Sequence, residues 1–219
     1  MTNSREIATH ILTDIYSNYQ FLENYINKNK EFNRLENRDK AFVRLIILNT
    51  LRRNGQIQQI INDYVKKPLK KKDSFILNLI RISICQILFL NIKEYSIVNT
   101  AVQISKNFKR DKFVNGLLRN ICRDKSKILK KTRIESNIPA WIKRDIVKLF
   151  GERQFLKISQ NIVKEPSVDI KIKKSHCKKK DWEKILKGKF LNNEVIRLKN
   201  AGPIDKKPFF DQGLWWVQS

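Results

Sequence analysis

The decapeptide Lys112-Phe113-Val114-Asn115-Gly116-Leu117-Leu118-Arg119-Asn120-Ile121 constrains this chain more than any other stretch. At helical spacing it gathers Phe113, Val114, Leu117, Leu118 and Ile121 on one arc, the width of a core-facing stripe. Asn115 and Arg119 fall one turn apart on the opposite side and share a face. Such a stripe needs other apolar elements to cover it, and the residues before it supply them.

Ser4 is placed to cap a first helix that turns Ala8, Ile11, Leu12, Ile15, Tyr16 and Tyr19 inward. Phe21, Leu22, Tyr25 and Ile26 mark a second helix, and residues 28–37 are polar and read as a loop. A third helix starts near Arg38, carries Phe42, Leu45, Ile46 and Leu51 inward, and stops near Gly55, where a left-handed residue is least strained. Ile57, Ile60, Ile61 and Tyr64 form a fourth, ended by Pro68. Asp73 or Ser74 caps a fifth over Phe75 to Leu90, apolar on most sides and therefore central. Ser96 begins a sixth, with Ile97, Ala101, Ile104 and Phe108 facing in. With the decapeptide, that makes seven helices and no clear strand, which predicts one all-α domain over residues 1–122.

The formal net charge is +25. Residues 1–122 hold 21 Lys and Arg against 10 Asp and Glu, and residues 123–219 hold 25 against 11. A field of this sign favours nucleic acid or an anionic membrane as partner. Lys outnumbers Arg 32 to 14, however, as drift in an AT-rich genome also produces. The greasiest stretch, Phe75 to Ile92, is interrupted by Asn78, Arg81 and Gln86 and is too polar to span a membrane. No signal segment is visible at the N-terminus, so a soluble cytoplasmic protein is expected. Cys85, Cys122 and Cys177 are widely separated and form no C-x-x-C, which argues against a zinc site or a disulfide framework. A lowered thiol pKa is conceivable for Cys177 in its Lys-rich setting, but no adjacent base or pocket supports it. His10 and His176 have no carboxylate cluster around them, so no metal or acid–base site is expected.

What remains is binding. Lys66, Lys67, Lys70, Lys71 and Lys72 lie across the Pro68 break, and Lys109, Arg110 and Lys112 lead into the decapeptide. Both groups flank helix ends, where side chains can reach phosphates together with unpaired backbone N–H groups. The alternative for each run is a solvated face. Arg5, Arg38 and Arg119 suit directed contacts, since a guanidinium grips phosphate bidentately or stacks on a base. For Arg38 and Arg119 the alternative is an internal ion pair or a helix cap, for instance with Asp39.

The run Phe113-Val114-Asn115-Gly116-Leu117-Leu118-Arg119 resembles the last core helix of the NusB family, helical RNA-binding domains found alone or fused to RNA methyltransferases. Arg38-Asp39-Lys40-Ala41-Phe42 and Leu51-Arg52 are similar to the entry and exit of that family's third helix. Arg81 to Leu90 resembles its Leu-Arg-x-x-x-Tyr-Gln-Leu-Leu-Phe helix, with Cys85 replacing the Tyr. Val98-Asn99-Thr100-Ala101-Val102 resembles its Val-Asn-Glu-Ala-Val helix, with Thr100 replacing the acid.

Beyond residue 122, Arg123 to Arg133 holds six basic residues and one acidic with no helical apolar period, and residues 123–135 read as a basic linker. Asn137 and Pro139 then start a helix that runs to Phe150 and ends at Gly151. Ile138-Pro139-Ala140-Trp141 resembles the segment that follows the NusB-like domain in RsmB-type ribosomal RNA cytosine-5 methyltransferases. Glu165 to Lys173 alternates like a half-buried strand, and a short helix follows around Trp182, Ile185 and Leu186. Phe209 to Ser219 resembles that family's Phe-x-x-Gly-x-(Trp/Phe)-x-Val-Gln-Asp, with Ser219 in place of the Asp. In the family this segment enters the domain that binds S-adenosylmethionine, so residues 209–219 read as the start of a missing catalytic domain. Their large apolar side chains are expected to lack a surface to bury them.

The expectation is therefore a mainly α chain, with a NusB-like domain over 1–122 and a small α+β segment over 136–208. The resemblance implies a Gly-rich loop for the cofactor and a cysteine after a proline for catalysis; neither a Gly-x-Gly nor a Pro-Cys occurs, so no catalytic, metal or S-adenosylmethionine site is expected in these residues. The resemblance implies an RNA-binding region that positions small-subunit ribosomal RNA for a catalytic domain absent here. The alternatives are a NusB-like transcription antitermination protein without enzymatic activity, or the product of an incomplete gene.

Overall fold

The computed structural model describes residues 3–18, 21–176, 181–199 and 201–218, and it divides into two compact units, 1–163 and 164–219. Tyr19, Cys177 and Ser219 lie outside the described residues.

The first unit is all helix. Its elements are α1 (Ser4–Asn18), α2 (Leu22–Lys28), α3 (Lys30–Asn33), α4 (Asn37–Arg52), α5 (Asn54–Tyr64), α6 (Ser74–Phe89), α7 (Glu94–Lys106), α8 (Asp111–Arg123), α9 (Lys125–Lys131) and α10 (Ala140–Ile162). Helix α6 is the shared wall. On one side Ile76, Ile80, Ile84 and Ile87 join a core with α5, α7, α8 and α9, and on the other Ile82 joins a core with α1 to α4. Three polar residues in its apolar run, Asn78, Ser83 and Gln86, are buried and hydrogen-bonded. Asn78 donates to Thr13 Oγ1 at 3.1 Å, Ser83 to the Leu79 carbonyl at 2.7 Å, and Gln86 to the Ile82 carbonyl at 3.1 Å.

Several expectations need correction. The polar stretch 28–37 contains α3, because the Asn29 side chain caps the Phe32 N–H at 2.8 Å and lets Phe32 insert fully into the core. On α4 the buried face is Val43, Ile46, Ile47 and Thr50, while Leu45 is exposed, so the inward arc is rotated from the one expected. Gly55 does not end a helix. It sits in the first turn of α5 because a Cβ there would collide with the Ser136 carbonyl of the 3-10 turn Ile134–Asn137. Asn137 belongs to the same junction, accepting from the Gln56 N–H and donating to its side-chain oxygen, both at 2.9 Å. Residues 125–131 are not linker but α9, anchored by buried Ile128 and by the Tyr64 hydroxyl, which donates to Asp124 at its N-terminus at 2.8 Å. One buried apolar residue and this hydrogen bond hold two turns, and a single inward residue shows no period. Gly151 interrupts α10 at φ +78°, a conformation that favours glycine, so the helix expected to stop there restarts instead.

The second unit is a four-stranded antiparallel sheet with one short helix. Strands β1 (Asp169–Ile172), β2 (Gly188–Phe190), β3 (Val195–Leu198) and β4 (Trp215–Gln218) lie in the order β2-β3-β1-β4, with α11 (Trp182–Leu186) before β2. Ile170 stands opposite Ile196 and Val217, and Ile170, Ile172, Ile196 and Trp182 form the centre of the core. The closing apolar residues find part of their cover here. Trp215 is buried on this core and donates its indole N–H to the Pro208 carbonyl at 2.8 Å, whereas Trp216 and Val217 remain exposed on an edge strand.

Candidate nucleic-acid interface

The two basic runs, some forty residues apart in sequence, meet at one place. Lys67, Pro68, Leu69, Lys70 and Lys72 from the α5–α6 connection line an open pocket of about 340 Å³ with Asp73, Arg110 and Phe113. The sequence builds this locally. Val65 ends α5 in extended backbone, Pro68 prevents it from resuming, and a 3-10 turn at Lys71–Asp73 leads into α6. On the other side the α7–α8 corner turns through Lys109 at φ +54°, and the Arg110 N–H donates to the Ser105 carbonyl at 3.2 Å.

One ion pair clamps the two sides. The Arg110 guanidinium donates to both carboxylate oxygens of Asp73 at 3.1 Å, and the Asp73 side chain is mostly buried. Arg110 is therefore charge-balanced, and its role is to fasten the α7–α8 corner to the start of α6. Lys66, Lys67, Lys70, Lys71 and Lys72 are exposed and make no ion pair among the described residues. Lys109 and Lys112 are also exposed beside the pocket. Phe113, expected on the core arc, is 37% exposed at the pocket's edge, while Val114, Leu117, Leu118 and Ile121 hold the buried arc. The result is a cationic rim around one accessible ring, able to take phosphates and to stack a base.

Arg5 lies elsewhere and is turned inward. Its Nε–H donates to Gln86 Oε1 at 2.8 Å, its guanidinium lies 5.3 Å over the Phe42 ring, and burial lowers its pKa. Arg53 and Arg81 are half-buried in the same way, over Phe89 and Tyr16, while Arg44 is exposed with its guanidinium over Phe32. With Arg5, Arg53 and Arg81 turned inward, most of the unit's outward positive charge is lysine. Arg38 is exposed in the first turn of α4, and its neighbour Asp39 accepts from the Ser4 hydroxyl at 2.9 Å rather than pairing with it. Arg119 is exposed on the opposite flank of α8 from Phe113 and lines a second pocket with Asn115, Tyr95 and Asn99. The sequence reading missed Tyr95 and Asn99. The signal for them was their position off the inward face of α7 marked by Ile97, Ala101 and Ile104.

Two thiols are described. Burial pushes Cys85 up to about 11. Burial, then the charge of and hydrogen bond to Glu94, push Cys122 up to about 11 as well. Both are protonated at neutral pH and act as packing groups. No helix among the described residues is long and apolar enough to cross a membrane.

A family model described as the NusB family matches residues 2–123. Over 229 aligned positions the chain is 22% identical to ribosomal RNA small subunit methyltransferase B of Shigella boydii, covering 99% of this chain and 53% of that protein. The protein of the same name from Escherichia coli O17:K52:H18 is 21% identical with the same coverage. The chain thus spans about half the length of the curated relatives it matches. Among solved structures, the one described as the crystal structure of PH0851 superposes with a TM-score of 0.56 at 13% identity, covering 100% of this chain and 53% of that one. That likeness is one of fold.

Proposed function

The chain belongs to the NusB family over residues 2–123, and we propose that it is the RNA-binding region of an RsmB-type small-subunit ribosomal RNA cytosine-5 methyltransferase. In this reading it acts in the cytoplasm and holds ribosomal RNA for methylation by a catalytic domain that binds S-adenosylmethionine. The observation that carries it is one pocket where Lys67, Lys70 and Lys72 meet Arg110 and Phe113 from a run some forty residues away, with its one lining carboxylate, Asp73, already paired with Arg110. Lysines so placed bind phosphate as point charges, and a mobile ammonium tolerates the varied geometry of folded RNA. The likeness to the methyltransferase relatives covers 99% of the chain, well past the family match at residue 123, and so favours this reading over a stand-alone regulator.

Photo-crosslinking of the full chain to small-subunit ribosomal RNA fragments, with mass spectrometry of the crosslinked peptides, tests it. Crosslinks are expected within residues 66–72 and 109–113. Their confinement to residues 164–219, or no RNA retained at physiological salt, contradicts it.

A further inference from the structure

The second pocket differs in chemistry from the first. Between α7 and α8 lies an open groove of about 400 Å³, within the roughly 300–1,000 Å³ range of small-molecule sites. Its floor is Val98 and Val102, and its rim is Tyr95, Asn99, Asn115 and Arg119. Tyr95 is 83% exposed at the first turn of α7. The side chains of Asn99, Asn115 and Arg119 make no hydrogen bond among the described residues. An amide on each wall and a guanidinium beside them offer donors and acceptors over an apolar floor.

The groove's own charges nearly cancel apart from Arg119. Glu94, at its end, pairs with Lys125 at 3.1 Å, and the Cys122 thiol that faces the same carboxylate is protonated. No reactive group is therefore presented, and the site is one for binding. An open ring, unpaired amide groups and an apolar floor match the three features of an unstacked nucleobase, which has a π-face and a hydrogen-bonding edge. A phosphate-only site would need no ring and no amides.

We propose that this groove takes one unpaired base of single-stranded RNA. Tyr95 stacks on its face, Asn99 and Asn115 read its edge, and Arg119 contacts either that edge or the adjoining phosphate. The inference rests on the RNA-binding reading above and adds to it a base-selective contact on the other flank of α8.

A single-stranded RNA with 2-aminopurine at successive positions, titrated with the full chain, provides the test. At one position fluorescence should be quenched on binding. Tyr95→Ala should abolish that quenching and weaken binding about five- to a hundredfold, as loss of one stacked base does. Tyr95→Phe should retain both, and Asn115→Ala should weaken binding with the salt slope unchanged, because it removes no charge. If the wild type binds RNA but Tyr95→Ala and Asn115→Ala bind as tightly, the groove is not a base site, while the RNA-binding reading stands. A wild type that binds no RNA removes both. Circular dichroism on each variant confirms that the helices persist.

Discussion

Helix α8 separates two surfaces of opposite chemistry. On one flank Phe113 borders a pocket lined by exposed lysines whose one lining carboxylate, Asp73, is paired with Arg110. On the other, Asn115 and Arg119 border an apolar-floored groove whose single acid is matched by Lys125. The first surface can attract any polyanion and does so less strongly as salt rises. The second adds little long-range attraction but can distinguish one base from another. A lysine-rich surface alone explains affinity without selectivity, and a neutral groove alone would have no means of drawing RNA to it.

This contrast requires that α8 hold both flanks in fixed register. Leu118 is fully buried on the arc between them, and Leu118→Ala is expected to destabilise the protein by about 2–5 kcal/mol. Denaturant titration measures it. A change below about half a kcal/mol, the usual limit of surface substitutions, would mean that the helix is not anchored by this arc.

A smaller effect sharpens the contrast on the lysine flank. Asp73→Asn removes the carboxylate that neutralises Arg110, so RNA should bind more tightly and the salt slope should steepen by roughly 0.7, one further phosphate contact. The partly exposed pair itself contributes about 0.2–1 kcal/mol, so stability should fall only slightly. Unchanged RNA binding in this variant would place the contacts away from Arg110.

The smallest effect lies away from both flanks, at the helix that a sequence reading takes for linker. Burial, then the hydrogen bond to Asp124 and the charges of Asp124 and Asp63, push the Tyr64 hydroxyl up from 10 to about 12. The folded state holds this proton more tightly than the unfolded one. The contribution is therefore complete below about pH 10 and is lost as pH rises toward about 12. Melting temperatures in that window should fall less for Tyr64→Phe than for the wild type. Identical falls would show that Tyr64 does not anchor α9.

The helices with wide apolar arcs were legible because periodicity reports burial directly. Helix α6, apolar on most sides, is legible as central from its composition alone. The short elements were not legible, and each for its own reason. Helix α3 depends on a cap from Asn29 and one aromatic, α9 on Ile128 and Asp124, and Gly55 on a neighbour eighty residues away. Of the candidate site, the two basic runs could be seen in sequence, but the meeting of Lys67, Lys70 and Lys72 with Arg110 depends on how the α5–α6 and α7–α8 corners pack. Arg5 and Arg110 look like any exposed cation in sequence, and only the fold reveals Gln86 and Asp73 beside them. Tyr95 and Asn99 belong to no charge run and leave no apolar period, so the groove they form with Asn115 and Arg119 has no linear signature.

In the proposed function the folded basic rim, and not net charge at large, holds RNA. Two fivefold variants of equal charge test it most directly. One replaces Lys66, Lys67, Lys70, Lys71 and Lys72 by Gln. The other replaces Lys125, Lys127, Lys130, Lys131 and Arg133, of which Lys125 and Lys131 are held by Glu94 and Asp63 at 3.1 and 2.9 Å. Filter binding of single-stranded RNA across a salt series should show the first variant weakened, with a slope flatter by roughly 2 if three lysines each release one phosphate's counterions. The second variant should stay close to wild type. Equal losses in the two would contradict the claim and leave the binding to undirected charge.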